Sequence, residues 1–537
     1  MPDESSPRAQ QIVARFQKAQ GKIRTSWKST LDELFFWMVP QYDPFQEKGR
    51  GEKRGEEIYD NTAVTAYQDA VGELQLSITP PDRDWVKLDI DPDAKAKMFP
   101  ELRQTAGVRS DRIKAILAEL DAQNRLTFEF IRKSNFDTEM HMAYQDVFAS
   151  TGAIMVTENV EDPANPLLFR TVPVGQVFPE QGPTGLIDTV YREWKVIARN
   201  LPRLWPDGAW SEDVKRAIQE EPDSEVGIIE ATIFDPDKGN WQYVVLESGE
   251  PHIAVEDTLD LSWWVVFRMT VMPGEIMGRG PAMTALPSVK SLNQYRKLML
   301  QRGLWSVAGA WRTDDYSLMN LETLTIQPNM IIPIMPGATF EPLEQAGDFP
   351  ITQEIINDLR QEVRETLLGI NLPAPDGTVK TATEFAIRQQ TALIRRGPPF
   401  ARVYSELINP MYRRIRKVLM DTGHLKPIQG LDEQMVQVVA VSPIANQARR
   451  ADAQEQLQVL ITALQIAPEE TRMAINVDAA ITHFLAENDF PDFLFRSAEE
   501  QAEIEAAQAE VQAAQLQAEQ QGTNGGVPGV PQPLGVG

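Results

Sequence analysis

Residues 278–281, Gly-Arg-Gly-Pro, lead from the apolar run LSWWVVFRMT into a segment with a helical pattern, and glycine-rich turns in that setting can bind phosphate. A P-loop requires Gly-x4-Gly-Lys-Ser/Thr and a dinucleotide-binding loop requires Gly-x-Gly-x-x-Gly, and this turn matches neither pattern. Pro281 also lacks the amide that a phosphate oxygen would need, whereas proline is favoured at the first position of a helix. We therefore predict that the turn starts a helix and binds no nucleotide.

The residue types that most often catalyse reactions or bind metals are scarce. The chain has no cysteine, which excludes disulfides, zinc–thiolate sites and thiol nucleophiles. The four histidines, His141, His252, His424 and His483, lie far apart in the sequence, and no nucleophile elbow, kinase signature or calcium-binding loop is present. We expect no catalytic residue, no metal and no cofactor. Carboxylate pairs among the 77 acidic residues leave no sequence pattern, so an enzyme with a cryptic carboxylate site stays as an alternative.

Composition bounds the class of protein. A chain of 537 residues, 42% of them hydrophobic, can bury more than one core, and its length suggests about three or four domains. The net charge of −25 argues against a protein that wraps DNA tightly, because such binding needs a basic surface. It is compatible with a surface past which DNA slides. The N-terminus lacks the apolar core of a signal peptide, and no apolar run approaches the roughly 20 residues of a membrane span. We expect a soluble protein made in a reducing cytoplasm.

Hydrophobic periodicity predicts a mixed α+β chain that is predominantly helical. Ser6 and Pro7 start the first helix, whose apolar stripe continues to Leu34. From Gly152 the pattern changes to short strands, including a hairpin whose turn lies at 235–240. The predicted elements are helices at about 7–34, 61–77, 107–123 and 124–150, strands within 152–270, a helix at 281–304, a strand-rich insert at 305–350 and a helix at 351–369.

The predicted helix 351–369 has a narrow apolar stripe. Its members recur every four residues and are Ile351, Ile355, Leu359, Val363 and Leu367. Most other positions of the helix are polar or charged. Such a stripe suits the seam of a helical bundle or ring, and it suits an ordinary surface helix equally well.

A short loop at 371–380 follows, and the capping box of Thr381 and Glu384 marks the start of the next helix. Pro373 and Pro375 keep the loop extended. We interpret it either as a loop that is presented to a ligand or as a plain connection between helices.

Charge is unevenly distributed towards the C-terminus. Residues 388–417 are locally basic, which fits either nucleic-acid contact or ion pairing between subunits. Residues 451–537 hold 14 acidic and 2 basic residues, including a polar helix of alanine, glutamine and glutamate near the end. The glycines and prolines of 522–537 predict a disordered tail.

Several stretches, in this order along roughly residues 10–500, resemble the portal, or head-to-tail connector, proteins of short-tailed (podoviral) bacteriophages. The stretches are SWKSTLDELFFWMVPQYDPF (26–45) with YDNTAVTAYQDAVGELQLSITPPDRDWVKL (59–88), GEIMGRGPAMTALPSVKSLNQ (274–294), KTATEFAIRQQ (380–390) and SPIANQARRADAQEQLQVL (442–460). No single stretch is specific for the family, but their order and the chain length together are.

The resemblance implies a ring, usually dodecameric, around a central channel at one capsid vertex, through which DNA enters and leaves. It also implies a division of the chain into regions. These are a wing at 1–280, stem helices at 281–304 and 351–370, a clip at 305–350, a tunnel loop at 371–380, a long wing helix and return at 381–440, crown or barrel helices at 441–521 and the disordered tail at 522–537.

The implied ligand is double-stranded DNA, bound without sequence preference. Because every neutralised phosphate strengthens binding, a conduit should offer only a few basic contacts in an acidic lumen. The candidates for these contacts are Lys380, Lys290, Lys297, Arg360 and Arg364, and the tunnel-loop residues are Asn371, Pro373, Pro375, Asp376, Gly377 and Lys380.

The resemblance also implies the protein partners and the location. The partners would be further copies of the chain, the major capsid protein, a scaffolding protein, the large terminase subunit that hydrolyses ATP, and the tail adaptor and nozzle proteins. No membrane partner is expected, and the protein would lie in the virion at the head–tail junction. Another ring-forming tail or adaptor protein remains the alternative structural role.

Overall fold

The structure is a computed structural model, and it describes residues 7–46, 51–52, 54–91, 111–249, 251–308, 311–313, 337, 340–342, 349–368, 401–428, 431–432, 435–441, 458–459 and 461–462. The chain divides into two compact units. The first comprises residues 1–83 and 129–424, and the second comprises residues 84–128 and 425–537.

Helices and antiparallel sheets alternate along the described residues, so the chain has the mixed fold class that the sequence predicted. The helices are α1 (Pro7–Ser26), α2 (Lys28–Met38), α3 (Thr62–Ile78), α4 (Asp111–Lys133), α5 (Phe136–Ala149), α6 (Leu201–Leu204), α7 (Glu212–Glu220), α8 (Pro281–Ala308), α9 (Phe349–Leu368) and α10 (Asn409–Asp421). A π-helical turn, Tyr404–Ile408, precedes α10 directly.

The strands form antiparallel ladders among the described residues. They are β1 (Val86–Ile90), β2 (Thr151–Glu158), β3 (Leu167–Thr171), β4 (Val177–Gln181), β5 (Ile187–Ile197), β6 (Glu225–Asp235), β7 (Asn240–Glu247), β8 (Ile253–Leu259), β9 (Trp264–Arg268), β10 (Trp311–Thr313), β11 (Phe340–Pro342) and β12 (Val436–Ala440). Strands β4 to β8 pair in sequential order as a meander, and β2 lies between β3 and β9. The predicted hairpin is confirmed as β6 and β7, with Gly239 at φ 69° in its turn.

The predicted helix boundaries differ from the structure at two places. The first predicted helix is two helices, α1 and α2, separated at Trp27. The predicted break near residue 123 is wrong, because α4 continues to Lys133 and the chain turns at Ser134 and Asn135 instead. The carboxamide of Asn135 donates to Phe169 O at 2.7 Å and accepts from Phe169 N at 3.0 Å. A tertiary contact with β3 therefore sets this boundary, and local sequence does not reveal it.

The meander is covered on one face by α1. Phe16 of α1 packs against Phe178 and Tyr191 at ring-centroid distances of 5.6 and 5.9 Å. Since successive side chains of a strand point to opposite faces, the even-numbered positions Trp194 and Val196 of β5 pack into a second core instead. That core includes Leu201, Trp210, Val214, Ile228, Tyr243 and Val245, so α6 and α7 cover the other face.

In the second unit, β1 pairs with β12, although the two strands lie about 350 residues apart in the sequence. Trp85, next to β1, packs edge-to-face on Phe128 with their rings 5.2 Å apart. The side chain of Gln123 donates to Lys426 O at 2.8 Å, and that of Asn124 donates to Val86 O at 2.9 Å. The ladder and the Gln123–Lys426 contact therefore join residues that lie more than 300 positions apart in the sequence.

Several predicted features lie outside the described residues. They are most of the insert, the loop 371–380, the capping box at Thr381 and Glu384, nearly all of 441–521, and the tail 522–537. Within the predicted insert 305–350, α8 continues to Ala308 and α9 begins at Phe349, and β10, β11 and Gly337 are also described. Within the part that is described, none of the helices combines the length and the apolar character needed to cross a membrane.

A buried acid in α5 makes the stability of the first unit depend on pH. Asp146 is 1% exposed, and its Oδ2 accepts from Val174 N at 3.0 Å and from the Tyr42 hydroxyl at 3.3 Å. Burial raises the pKa of Asp146 from 3.8 to about 8, against the opposing effect of those two hydrogen bonds. At neutral pH the folded protein therefore holds this proton, whereas the unfolded chain has released it.

We expect the free energy of unfolding to fall as pH rises from about 4 to about 8, by up to about 1.4 kcal/mol per pH unit from this group. The stabilisation from the protonated Asp146 is complete below the pKa of the acid in the unfolded chain, 3.8, and is lost once the pH passes its pKa in the folded protein, about 8. Asp146→Asn should remove this slope, because the amide resembles the protonated acid and does not ionise. Urea denaturation of the wild type and the variant at pH 5, 6, 7 and 8 measures the slope. If the free energy of unfolding depends on pH equally in both proteins, the assignment to Asp146 is wrong.

Candidate functional site

The turn before α8 uses its own amides within the subunit. Gly278 N donates to Thr151 Oγ1 at 2.8 Å, Arg279 N donates to Thr270 O at 2.7 Å, and Gly280 N donates to Ala149 O at 3.2 Å. Ser150 Oγ in turn donates to Gly278 O at 2.8 Å. Since these three amides already have acceptors, they are not available to a phosphate, and the turn is the start of a helix as predicted.

Both glycines are required by close backbone approach. A Cβ on Gly278 would lie 2.5 Å from Ser150 O, and a Cβ on Gly280 would lie 1.9 Å from Phe148 O. These oxygens belong to the backbone at the C-terminal end of α5 and its connection to β2. The glycines thus let the first turn of α8 sit directly against the end of α5.

A buried ion pair lies beneath the turn. Arg268, at the end of β9, is fully buried and donates from NH2 to Glu406 Oε1 at 2.7 Å and from Nε to Glu406 Oε2 at 3.1 Å. It also donates from NH1 to Ile276 O at 2.8 Å. Glu406 belongs to the π-helical turn before α10 and accepts a further hydrogen bond from Arg402 at 3.2 Å. The pair therefore joins the strand, the turn that leads into α8 and the segment that leads into α10.

Helix α8 packs against α9, and α9 also packs against α3. Ser288 Oγ of α8 donates to Glu362 Oε1 of α9 at 2.9 Å. The buried residues of α9 are Ile356, Val363 and Leu367, whereas Ile351 is 55% exposed. The predicted stripe of five residues is therefore only partly buried, because each step of four residues advances 40° around a helix and the series winds away from one neighbour.

Two of the predicted basic candidates lie on α8 and contact residues near the N-terminus. Lys290 Nζ forms a salt bridge with Glu33 Oε1 at 2.5 Å, and both side chains are about half exposed. Lys297 Nζ lies 5.5 Å from the centre of the Tyr59 ring. Asn293, one turn from both lysines, accepts from Tyr59 N at 2.7 Å and donates to Glu57 O at 2.9 Å. This side chain holds the segment before α3 against α8.

Arg360 on α9 is committed to a buried carboxylate. It donates from Nε and NH2 to Asp60 Oδ2 at 3.0 and 2.7 Å, and the Asp60 side chain is 2% exposed. Thr62 N donates to Asp60 Oδ1 at 3.0 Å. Burial acts to raise the pKa of Asp60, but the hydrogen bonds from Thr62 and Arg360 outweigh it and hold that pKa below its ordinary value. Arg360 therefore has a structural contact within its own subunit.

Arg364 lines a cleft of about 1040 Å³ between α3, α8 and α9. Arg296 of α8 lies in the same cleft and donates to Met299 Sδ at 3.7 Å. The remaining lining residues are Tyr59, Asp60, Asn61, Thr62, Thr65, Glu73, Asn357, Arg360, Gln361, Glu365 and Leu368. The lining includes three basic side chains, Arg296, Arg360 and Arg364, and three acidic ones, Asp60, Glu73 and Glu365.

The structure thus brings Arg360 and Arg364 together in one cleft, and places Lys290 and Lys297 on α8 against α2 and the segment before α3. Lys380 and the other tunnel-loop positions, Asn371, Pro373, Pro375, Asp376 and Gly377, lie outside the described residues. Among the residues that are described, no group of three or more histidine or acidic side chains is arranged to hold a metal ion.

Sequence reasoning missed Asp60, Asn293 and the Arg268–Glu406 pair. Asn293 left a signal: the stripe Ala282, Ala285, Val289, Leu292 predicts that position 293 is buried, and a polar residue on a buried face needs a partner. The acidic and basic members of the pairs left none, because their partners are distant in sequence.

A known protein family matches most of the chain. The family described as "Bacteriophage head to tail connecting protein" matches residues 9–493 of the chain. A protein named "Probable portal protein" from Bordetella phage BPP-1 is 26% identical over 472 residues, which cover 81% of this chain and 79% of that protein. A "Portal protein" from Salmonella phage epsilon15 is 21% identical over 435 residues, covering 74% of this chain and 72% of that protein.

Proposed function

The chain belongs to the family of bacteriophage head-to-tail connecting proteins, and from this premise we propose that it is the portal of its phage. In this proposal, about twelve copies close into a ring at one capsid vertex, and double-stranded DNA is packaged and ejected through the central hole. The observation that carries it is the family match over residues 9–493, together with two relatives named portal proteins that align along most of both chains. The protein acts as a conduit and is not an enzyme.

The proposed regions follow the elements around α8 and α9. Residues 1–280 are the wing, and α8 and α9 are the stem. Strand β10 pairs with β11 between the end of α8 and the start of α9, which supports a clip between the two stem helices. Its predicted range, 305–350, overlaps α8 by four residues and α9 by two. Residues 371–380 form the tunnel loop, 381–440 return to the wing, and 441–521 form the crown.

The proposed DNA contacts are lysines. Lys290, Lys297 and Lys380 remain as weak contacts in the channel, since a conduit that neutralised many phosphates would hold its DNA and slow translocation. The salt bridge to Glu33 gives the Lys290–Glu33 pair no net charge, in keeping with weak contact to a phosphate. Arg360 is held by buried Asp60, which favours a role within the subunit over DNA contact.

The proposed partners follow from the regions. The clip would bind the large terminase subunit during packaging and then the tail adaptor and nozzle proteins. The wing would contact the major capsid protein and the scaffolding protein. The protein would be made in the cytoplasm of the host bacterium and would end in the virion, with no membrane partner.

Electron microscopy of the purified chain, combined with mass determination of the particle, tests the proposal. We expect a ring of about twelve copies with a hole wide enough for duplex DNA. A ring with a closed centre would favour a different tail or adaptor protein. A chain that stays monomeric at high concentration, and also with the capsid protein present, would overturn the proposal.

A further inference from the structure

Two arginines of the cleft form no salt bridge with any described residue of their own subunit. Arg360 is neutralised by Asp60, but among the described residues Arg364 makes no hydrogen bond or salt bridge, and Arg296 contacts a methionine sulfur. Glu73 and Glu365 also line the cleft, and Glu365 accepts from Gln361, another lining residue, at 2.7 Å. Arg296 on α8 and Arg364 on α9 thus bring into the cleft two cationic groups that form no salt bridge among the described residues.

A second flank of α9 carries the opposite charge. Glu354, Asp358 and Glu362 recur every four residues and are exposed. Glu362 accepts from Ser288, but within the described part of the chain none of the three forms a salt bridge. At 100° per residue, this acidic stripe lies on average about 130° around the helix from Arg360 and Arg364. Among the described residues, α9 therefore carries three acids without a salt bridge on one flank and one arginine without a salt bridge, Arg364, on another.

We propose that α9 joins neighbouring copies of the chain, with the acidic stripe of one copy facing Arg296 and Arg364 in the cleft of the next. In a ring of identical subunits every interface is heterologous, so one patch meets a different patch, and the two must be complementary. Two flanks of opposite sign on one helix meet this requirement. The inference rests on the proposed ring, and it assigns Arg364 to the subunit interface and not to DNA.

The charge pattern favours a second copy over nucleic acid as the occupant. A phosphate backbone approaching this part of α9 would meet Glu354, Asp358 and Glu362 as well as the arginines, whereas a neighbouring copy supplies both signs in register. Exposed ion pairs are individually weak and screened by salt, so the interface should loosen as ionic strength rises.

Charge reversal tests the pairing, because each copy contributes both patches. Arg364→Glu and Asp358→Arg each place like charges face to face, and each should weaken ring formation about tenfold at about 0.15 M salt. The double variant Arg364→Glu/Asp358→Arg exchanges the signs and should restore rings to near the wild-type fraction. Mass photometry of the full-length proteins over a salt series measures the ring fraction.

A matched control is Arg216→Glu on α7, which makes the same change in net charge at an exposed position and should leave the ring fraction unchanged. Circular dichroism melts check that each variant is folded. Single variants that form rings like the wild type, or a double variant that assembles no better than the worse single variant, would overturn the pairing. If the wild type and the single variants all form rings, the α9 pairing is wrong but the portal proposal stands. If the wild-type chain never forms rings, the portal proposal and the α9 pairing are both wrong.

Discussion

Replacing Gly280 with alanine should destabilise the first unit by about 3 kcal/mol or more, a large effect for the addition of one methyl group. The new Cβ would lie 1.9 Å from Phe148 O, 2.4 Å from Phe148 C and 2.9 Å from Ala149 C. All three atoms belong to the backbone at the end of α5, so no side-chain rotation can relieve the overlap. The start of α8 would have to move away from α5, and with it the segment that carries Lys290 and Arg296.

The matched control is Gly21→Ala in α1. A Cβ there meets no atom within 4 Å, and the site is a helix interior. Alanine should stabilise the protein at this position by about 0.5–1 kcal/mol, because glycine is the poorer helix former. The same substitution thus has opposite signs at the two sites. Urea denaturation of both variants measures the difference, and a Gly280→Ala protein as stable as the wild type would show that the turn is not packed as described.

Replacing Glu406 with glutamine should cost about 3–5 kcal/mol of stability, because it leaves the Arg268 guanidinium charged and buried without a counterion. Arg268 is 0% exposed and the Glu406 side chain is 4% exposed. Three hydrogen bonds from Arg268, two from its guanidinium and one from its backbone amide, go to Glu406 side-chain oxygens, so the carboxylate provides both charge and hydrogen-bond acceptors. Glutamine retains one acceptor oxygen and supplies no charge.

The control is Glu275→Gln, which weakens the solvent-exposed pair with Arg279 and should cost less than about 1 kcal/mol. A double variant, Arg268→Met with Glu406→Leu, separates the charge effect from packing. It should cost less than the sum of the two single changes, since removing both charges leaves neither one unpaired. The prediction fails if Glu406→Gln unfolds at the same urea concentration as Glu275→Gln.

The two predictions concern one structural junction. The carbonyl of Ile276 accepts from Arg268, and the side chain of Arg268 lies 3.0 Å from a Cβ placed on Gly278. The turn that starts α8 is thus held between the end of α5 and the buried ion pair. In the proposed portal this junction would set the direction in which the stem helix leaves the wing.

The local sequence pattern predicted well the elements whose ends are marked by particular residue types, such as proline at a helix start or glycine in a turn. Pro281 marks the first residue of α8 because proline suits that position, and the β6–β7 hairpin follows from its turn residues. Helices α6 and α7, which interrupt the predicted strands of 152–270, and strand β12 were not predicted. Helix α7 does have local signals, since Ser211 caps it by accepting from Val214 N at 3.3 Å and Val214, Ala217 and Ile218 share one face, but it is only nine residues long.

Long-range contacts account for the rest. The boundary at Asn135 depends on Phe169, and the ladder of β1 with β12 joins residues about 350 positions apart. The apolar i+4 series of α9 suits a bundle seam and an ordinary surface helix equally well, whereas burial follows the positions of α3 and α8 and selects Ile356, Val363 and Leu367. The spacing of apolar residues along the sequence does not show which neighbouring helix will pack against which face of α9.

For function, the sequence by itself determined the class of protein. The absence of cysteine, the net charge of −25, the turn without a phosphate pattern and the resemblance of ordered stretches led to a head-to-tail connector, which the family match supports. These are properties of residue type, spacing and order, and a chain carries them whether or not it is folded. The tertiary structure decided the role of each charge. It pairs Arg360 with Asp60, Lys290 with Glu33 and Arg268 with Glu406, because electrostatic interaction depends on distance and burial in space, and both are set only when distant segments pack together.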